Sequence, residues 1–324
     1  MRTPIVGLHH VTAIASDPQR NLDFYTQVLG LRFVKRTVNF DDPGTYHFYF
    51  GDDIGTPGTI LTFFPWPGTP KGRRGAGETI ATAFSIPVGS ISYWRERLTE
   101  KGVSTRENVY FGAKHLSFSD PDDMVIELVE HKEAHAGSSP RYADVPAKHA
   151  IQGFFGTTLL EQSLKRTDAL LGMMGYHKLS DEGNRTRYAP EGDARGRFLD
   201  VVVDKDAQTG RMGAGTVHHI AFRASDDSAQ VDWQQELGNY VSVTPVQDRT
   251  YFHSIYFREP GGVLFEIATD APGFLIDETA ESLGEALRIP EWFEPQRKLI
   301  EARVQPITLH KAKSEATKES EAVL

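Results

Sequence analysis

One short pattern occurs twice: Gly7-Leu8-His9-His10-Val11-Thr12 near the start and Thr216-Val217-His218-His219-Ile220-Ala221 in the second half. Each histidine doublet opens an apolar run with the character of a β-strand. The second run is followed by 260–266 (PGGVLFE), a turn leading into another strand that ends on Glu266. His10, His219 and Glu266 form the two-histidine, one-carboxylate ligand set of a non-haem Fe(II) site, which leaves further positions on the metal open.

The turn-and-strand string is itself repeated. Residues 57–63 (PGTILTF), 121–127 (PDDMVIE) and 260–266 align on their prolines. Upstream of each lie an apolar strand and a stretch of helical periodicity. Such stretches fall at 21–29 before Gly30, at 92–98 before Gly102, at 163–171 before Gly172 and Gly175, and around Val231 to Trp233 before Gly238. The chain divides into four strand–helix–three-strand units at about 5–66, 78–131, 149–204 and 215–270, an α+β architecture of βαβββ modules. Residues 1–131 form an N-terminal half, the polar, proline-bearing 132–148 a linker, and 149–275 a C-terminal half. Beyond 276 the pattern stops, with one helix expected at 291–300 and a loose, charged tail from Lys311 to Leu324. The basic, glycine-rich 68–77 (GTPKGRRGAG) lacks Walker spacing and reads as a plain connection between units.

Composition narrows the function classes. A chain of 324 residues with 34 Phe, Tyr and Trp has ample material for its cores.

 A chain this rich in large apolar rings folds rather than staying disordered. The net charge of −9 argues against a nucleic-acid surface, which needs a basic stripe, and against anionic membranes. No run of about 18 apolar residues is present and the N-terminus lacks a signal-peptide layout, so the expected location is cytoplasmic. With no cysteine, any metal must be held by His, Asp or Glu.

Four such units, with His10-Val-Thr-Ala-Ile-Ala leading into a helix that reads LDFYTQVLGL, resemble the vicinal oxygen chelate superfamily of glyoxalases, antibiotic-resistance binders and extradiol dioxygenases. Within it, the strings 31–59 (LRFVKRTVNFDDPGTYHFYFGDDIGTPGT), 181–188 (DEGNRTRY) and 249–266 (RTYFHSIYFREPGGVLFE) resemble the ring-cleaving dioxygenases that act on para-hydroquinones. For His10 to share a metal with His219 and Glu266 at about 2.0–2.2 Å, the first unit must face the fourth, leaving the second to pair with the third. Two cupped, barrel-like mixed sheets follow, one of them catalytic. Phe63 stands in the first unit where Glu266 stands in the fourth, and an aromatic ring cannot ligate. A glyoxalase-type isomerase generally has a carboxylate there, so its loss favours an oxygenase with room for substrate and dioxygen.

The resemblance further implies Fe(II), with Mn(II) as the other divalent ion such donors accept, a small aromatic substrate and O2. It gives His9 and His218 places beside the ligands or in the pocket, although strict strand alternation turns them away from the metal face. His218 is the favoured acceptor for the proton of a substrate hydroxyl. Thr12 shares the strand face of His10. Tyr256 and Arg249 match substrate-pocket positions, Arg249 as a cation that can stabilise a phenolate. His253 departs from the pattern and is a candidate for tuning substrate choice. Glu127 repeats the position of Glu266 without a histidine at the start of its unit, so it reads as a structural relic. His115, His131, His135, His149, His177 and His310 lack a partnered carboxylate at matching spacing and read as surface or packing residues. Catechol-type extradiol cleavage by the same triad and metal-free sequestration of an aromatic compound are the alternative functions. A homo-oligomer is compatible with the sequence.

Overall fold

The computed structural model describes residues 3–132 and 144–310. His135, most of the expected linker and the tail from Lys311 lie outside the described residues. The first unit runs β1 (Leu8–Ala15), α1 (Pro18–Asp23), β2 (Arg32–Val38), β3 (Tyr46–Gly51) and β4 (Ile60–Pro65). The second runs β5 (Glu78–Ile86), α2 (Ile91–Glu100), β6 (Thr105–Tyr110), β7 (Ala113–Ser119) and β8 (Val125–Glu130). The third is β9 (Phe154–Glu161), α3 (Lys165–Met173), β10 (His177–Glu182), β11 (Arg185–Ala189) and β12 (Phe198–Val203). The fourth is β13 (Val217–Ala224), α4 (Asp227–Leu237), β14 (Gln247–Asp248), β15 (Phe252–Arg258) and β16 (Leu264–Pro272).

Local chemistry explains the helix starts. The Asp17 carboxylate accepts from the Arg20 amide ahead of Pro18, and Asp226 does the same for Ala229. The first helix is shorter than its apolar spacing suggests, because from Phe24 to Val28 it widens into a π turn before Gly30. The fourth unit has only two residues in its second strand, at the sheet edge.

Two eight-stranded sheets result, in the orders β14-β15-β16-β13-β1-β4-β3-β2 and β10-β11-β12-β9-β5-β8-β7-β6. The first unit therefore shares a sheet with the fourth, joined by the antiparallel seam of β1 and β13, and the second shares one with the third across β5 and β9. The glycine-rich 68–77 bridges to the matching connection of the other half, at Lys71 to Ala214, Arg73 to Arg211 and Ala76 to Thr209. At 291–300 the chain forms a 3-10 turn over Glu291–Gln296, which contains Pro295, and then the helix Arg297–Arg303 with Ile300 buried. The segment leading there is anchored on the first unit, where the fully buried Lys35 pairs with Asp277 and Glu278. Among the described residues no helix is long and apolar enough to cross a membrane.

Where the third and fourth units meet, Glu161, Glu259 and Thr167 make a pH-dependent joint. The Thr167 hydroxyl lies 2.7 Å from Glu161 Oε2 and 2.8 Å from Glu259 Oε2, yet it has one proton to give. Glu259 also accepts from the amides of Gly261 and Val263. Thr167 gives its proton to Glu259, and a protonated Glu161 donates to the Thr167 oxygen. Burial, with Glu259 nearby, pushes its carboxyl up to about 8 from an ordinary 4.5. Between those values the folded chain holds a proton that the unfolded chain has released, so stability falls as pH rises through that window. Glu161→Gln keeps a donor without the titration. Its melting temperature is expected to be flatter than the wild-type one between pH 5 and 8, which scanning calorimetry across that range checks.

Candidate metal centre and its pocket

His10 on β1, His219 on β13 and Glu266 on β16 come from three strands that neighbour one another in the first sheet, and all three side chains are buried. The Nε2 atoms of His10 and His219 are 3.3 Å apart, and they lie 3.2 and 2.9 Å from Glu266 Oε2. Ligands about 2.1 Å from a metal and at right angles to one another are about 3.0 Å apart, so this triangle has the dimensions of one octahedral face. Among the described residues, no other group of three or more His, Asp or Glu side chains is arranged to hold a metal ion. Glu266 Oε2 is buried without a well-aligned hydrogen bond, an arrangement that a cation completes. The three groups can hold a metal ion.

Burial alone would raise the Glu266 carboxyl, but His10 and His219 outweigh it and hold the group well below its ordinary value. Its other oxygen accepts from Ser254 Oγ at 2.5 Å, which fixes the carboxylate plane so that Oε2 faces the histidines. Burial lowers His219, against the opposing pull of Glu266.

The doublets depart from strand alternation for a visible reason. Along the seam, Leu8 pairs with Phe222 and His10 with Ala221, so His9 is an extra residue on β1; Thr12 pairs with His219 and Ala13 with Val217, so His218 is an extra residue on β13. Each leading histidine is a β-bulge, which re-aims its ring. His9 Nδ1 lies 2.9 Å from His10 Nδ1, and His218 Nδ1 lies 2.7 Å from His219 Nδ1. His9 is buried against Phe252, and burial holds it well below its ordinary pKa. His218 opens onto the cavity; burial and His219 bring it down to about 3.

That cavity, about 410 Å³, is lined by His10, His218, His219, Phe252, Tyr256 and Arg249 on one side and by His47, Tyr49 and Phe64 on the other, with 39–42 at its mouth. Arg249 Nε lies 3.2 Å from the Tyr256 hydroxyl, and its NH2 lies 3.3 Å from the exposed Asp41 carboxylate. Tyr256 pairs with Glu266 across β15 and β16, and burial raises its phenol. Thr12 is buried one layer behind the wall, accepting from Thr62 Oγ1 at 2.8 Å, and is not among the cavity-lining residues. His253 faces away: its Nδ1 lies 2.6 Å from Asp227 on α4, so a part in substrate choice through direct contact is not what its position allows.

Three participants escaped the sequence reading. Ser254 precedes Tyr256 by two residues and so shares its strand face; His47 and Tyr49 stand in the same relation on β3. That alternation was the available signal.

The second sheet shows the same plan without its ligands. Ala83 sits beside Glu127 as Ala221 sits beside Glu266, and two residues earlier Ala81 stands where the first sheet has His219. Across the seam Gly156 faces Ala83 as His10 faces Ala221. A Cβ at Gly156 would come 2.0 Å from the Phe198 carbonyl oxygen, so the backbone there has no room for a side chain. Contrary to the expectation that His115 lacks a carboxylate, its Nδ1 lies 2.8 Å from Glu127 Oε2, and Ser117 donates to the other oxygen. His177 and His310 likewise lie near Glu191 and Asp23. Each of these is a single pair. His149 packs on Tyr93 and bonds Ser90, and His131 packs against Phe155 and Phe198.

Known proteins share this design. Residues 7–128 match the Glyoxalase/Bleomycin resistance protein/Dioxygenase superfamily. The chain is 47% identical over 308 residues to a Bacillus subtilis protein named "Putative ring-cleaving dioxygenase MhqO", covering 94% of this chain and 98% of that one. It is 34% identical over 318 residues to the chlorohydroquinone/hydroquinone 1,2-dioxygenase of Sphingobium indicum, again covering 94% and 98%. A crystal structure of a Bacillus subtilis protein named "putative dioxygenase" superposes with a TM-score of 0.92 at 46% identity, covering 95% of this chain and 99% of that one. With 94% of the chain matched at 47% identity and the fold shared at a TM-score of 0.92, the chain belongs to the ring-cleaving dioxygenases of the glyoxalase/bleomycin resistance protein/dioxygenase superfamily.

Proposed function

We propose that this protein opens the ring of a small para-hydroquinone with O2, using Fe(II) held by His10, His219 and Glu266, with Mn(II) as the alternative ion. The observation that carries the reading is the 2.9, 3.2 and 3.3 Å triangle of two imidazole nitrogens and one carboxylate oxygen at the floor of a cavity of single-ring size. When bound, the metal supplies Lewis acidity toward a ring hydroxyl and the redox chemistry of dioxygen.

The chain's own residues supply orientation and protons. With the Nε2 lone pairs of His10 and His219 turned inward, their Nδ1 atoms carry the protons and donate to Nδ1 of His9 and His218. His218 then keeps its own proton on Nε2. It meets the pocket as a neutral hydrogen-bond donor, suited to stabilising a developing oxyanion rather than taking a proton from the substrate as the sequence resemblance implies. Arg249 and Tyr256 add a fixed cation and a phenol on the same flank, where negative charge on a ring oxygen is stabilised. Phe64 and Phe252 close the apolar walls over the ring and keep bulk water from it. The exposed Asp41 carboxylate at the rim offers the released hydroxyl proton a way to solvent.

Anaerobic loading with Fe(II), followed by oxygen uptake with methylhydroquinone, chlorohydroquinone and catechol, tests the assignment. Uptake with the two hydroquinones and little with catechol is expected. Preference for catechol would move the protein to the extradiol class, and turnover by metal-free protein would remove the metal from the account.

A further inference from the structure

The flank of the pocket opposite Arg249 carries a directed chain of hydrogen bonds. Tyr49 Oη lies 2.9 Å from His47 Nδ1, His47 Nε2 lies 2.9 Å from Thr62 Oγ1, and the Thr62 hydroxyl donates to Thr12 Oγ1 at 2.8 Å. Because the Thr62 proton is spent on Thr12, its oxygen accepts from His47, which places the imidazole proton on Nε2. Nδ1 is then a lone pair, and it takes the proton of Tyr49. The phenol has no second proton. Toward the cavity, which Tyr49 and His47 both line, it presents acceptor lone pairs alone.

β3 lies two strands from β1 in the sheet order, a spacing of about 10 Å along a flat sheet and less across a cup. A ring with one oxygen at the triad can turn its far edge to this flank. We infer that Tyr49, locked by His47, is the specificity-determining acceptor that reads the far hydroxyl of the bound ring, selecting compounds with a hydrogen-bond donor there over ethers or carbonyls at the same position. The inference rests on the function proposed above for the ligand class. It adds a sense of direction: the flank with Arg249 and Tyr256 donates hydrogen bonds, and the flank with Tyr49 accepts one. Burial keeps the Tyr49 phenol protonated, so the acceptor character belongs to its lone pairs rather than to a phenolate.

The test compares anaerobic binding of hydroquinone and 4-methoxyphenol to the metal-loaded full chain, since the ether differs by losing only the far donor. The wild type is expected to bind hydroquinone roughly five- to tenfold more tightly, the worth of one well-formed hydrogen bond. In Tyr49→Phe that preference should vanish through weaker hydroquinone binding, with 4-methoxyphenol unchanged. His47→Ala supplies a readout that loss of packing would not mimic: with its acceptor gone, the Tyr49 proton is free to turn into the pocket, and 4-methoxyphenol should bind more tightly than to the wild type. Equal binding of the two ligands by the wild type, or an equal loss of both in Tyr49→Phe, overturns the inference. Discrimination that persists in a protein unable to cleave hydroquinone would instead sink the proposed reaction and leave the role of Tyr49 standing.

Discussion

Glu266→Ala is expected to empty the metal site and abolish oxygen uptake, while Glu127→Ala keeps the metal and most of the activity. The two glutamates fall at the same place in their units, six residues after a turn proline, and both are buried. What separates them is company. Glu266 Oε2 has two imidazole nitrogens within 3.2 Å, whereas Glu127 has Ala81 and Gly156 at the corresponding places and is engaged by His115 and Ser117 from β7. A single carboxylate with one imidazole does not hold a divalent ion firmly against water, and two imidazoles without the carboxylate lose the anionic ligand that balances its charge. Removing Glu127 leaves His115 without its partner, at a cost of about 1–3 kcal/mol in stability. Metal analysis of the purified variants separates the two outcomes, and metal that tracked Glu127 would overturn the pairing of function with the first sheet.

Arg249→Met should leave metal content unchanged and lower kcat by about 10²-fold or more, the usual effect of losing one oriented charge-stabilising donor. Arg249 reaches the Tyr256 hydroxyl and Asp41 but none of the three ligands, so its loss spares the triangle. Methionine keeps the length and apolar stem of the side chain, so packing at the pocket flank is largely retained. Steady-state oxygen uptake at saturating hydroquinone, read beside metal content, checks this. Wild-type turnover would reduce Arg249 to a partner of the surface carboxylate Asp41.

The repeat made the fold legible. Strand, helix and turn recur with enough regularity that unit boundaries could be placed from the prolines and glycines alone, and the division of one ligand set between the first and fourth units dictated which units share a sheet. The triad was legible for the same reason, since His10 and His219 occupy equivalent positions in two units. The leading histidines were not. Alternation turns His9 and His218 away, and only the cross-strand register, with one extra residue at each doublet, brings their Nδ1 atoms against those of His10 and His219. Residues that act across strands were also hidden: Ser254 reaches Glu266 from the neighbouring strand, and the sequence separation of 15 between His47 and Thr62 conceals a contact made only when β3 and β4 pair. His115 reaches Glu127 from β7 rather than from the first strand of the unit, so the repeat alignment carries no sign of that pair.

The central claim is that the first and fourth units jointly hold a metal which adds dioxygen to a hydroquinone ring. Mass spectrometry of the product formed by Fe(II)-loaded protein under isotopically labelled O2 tests it most directly. Both labelled oxygen atoms should appear in a ring-opened product of methylhydroquinone, apart from label that a carboxylate or anhydride-type intermediate exchanges with water. An unopened ring, or a product without label formed at the same rate in the absence of metal, would contradict the account.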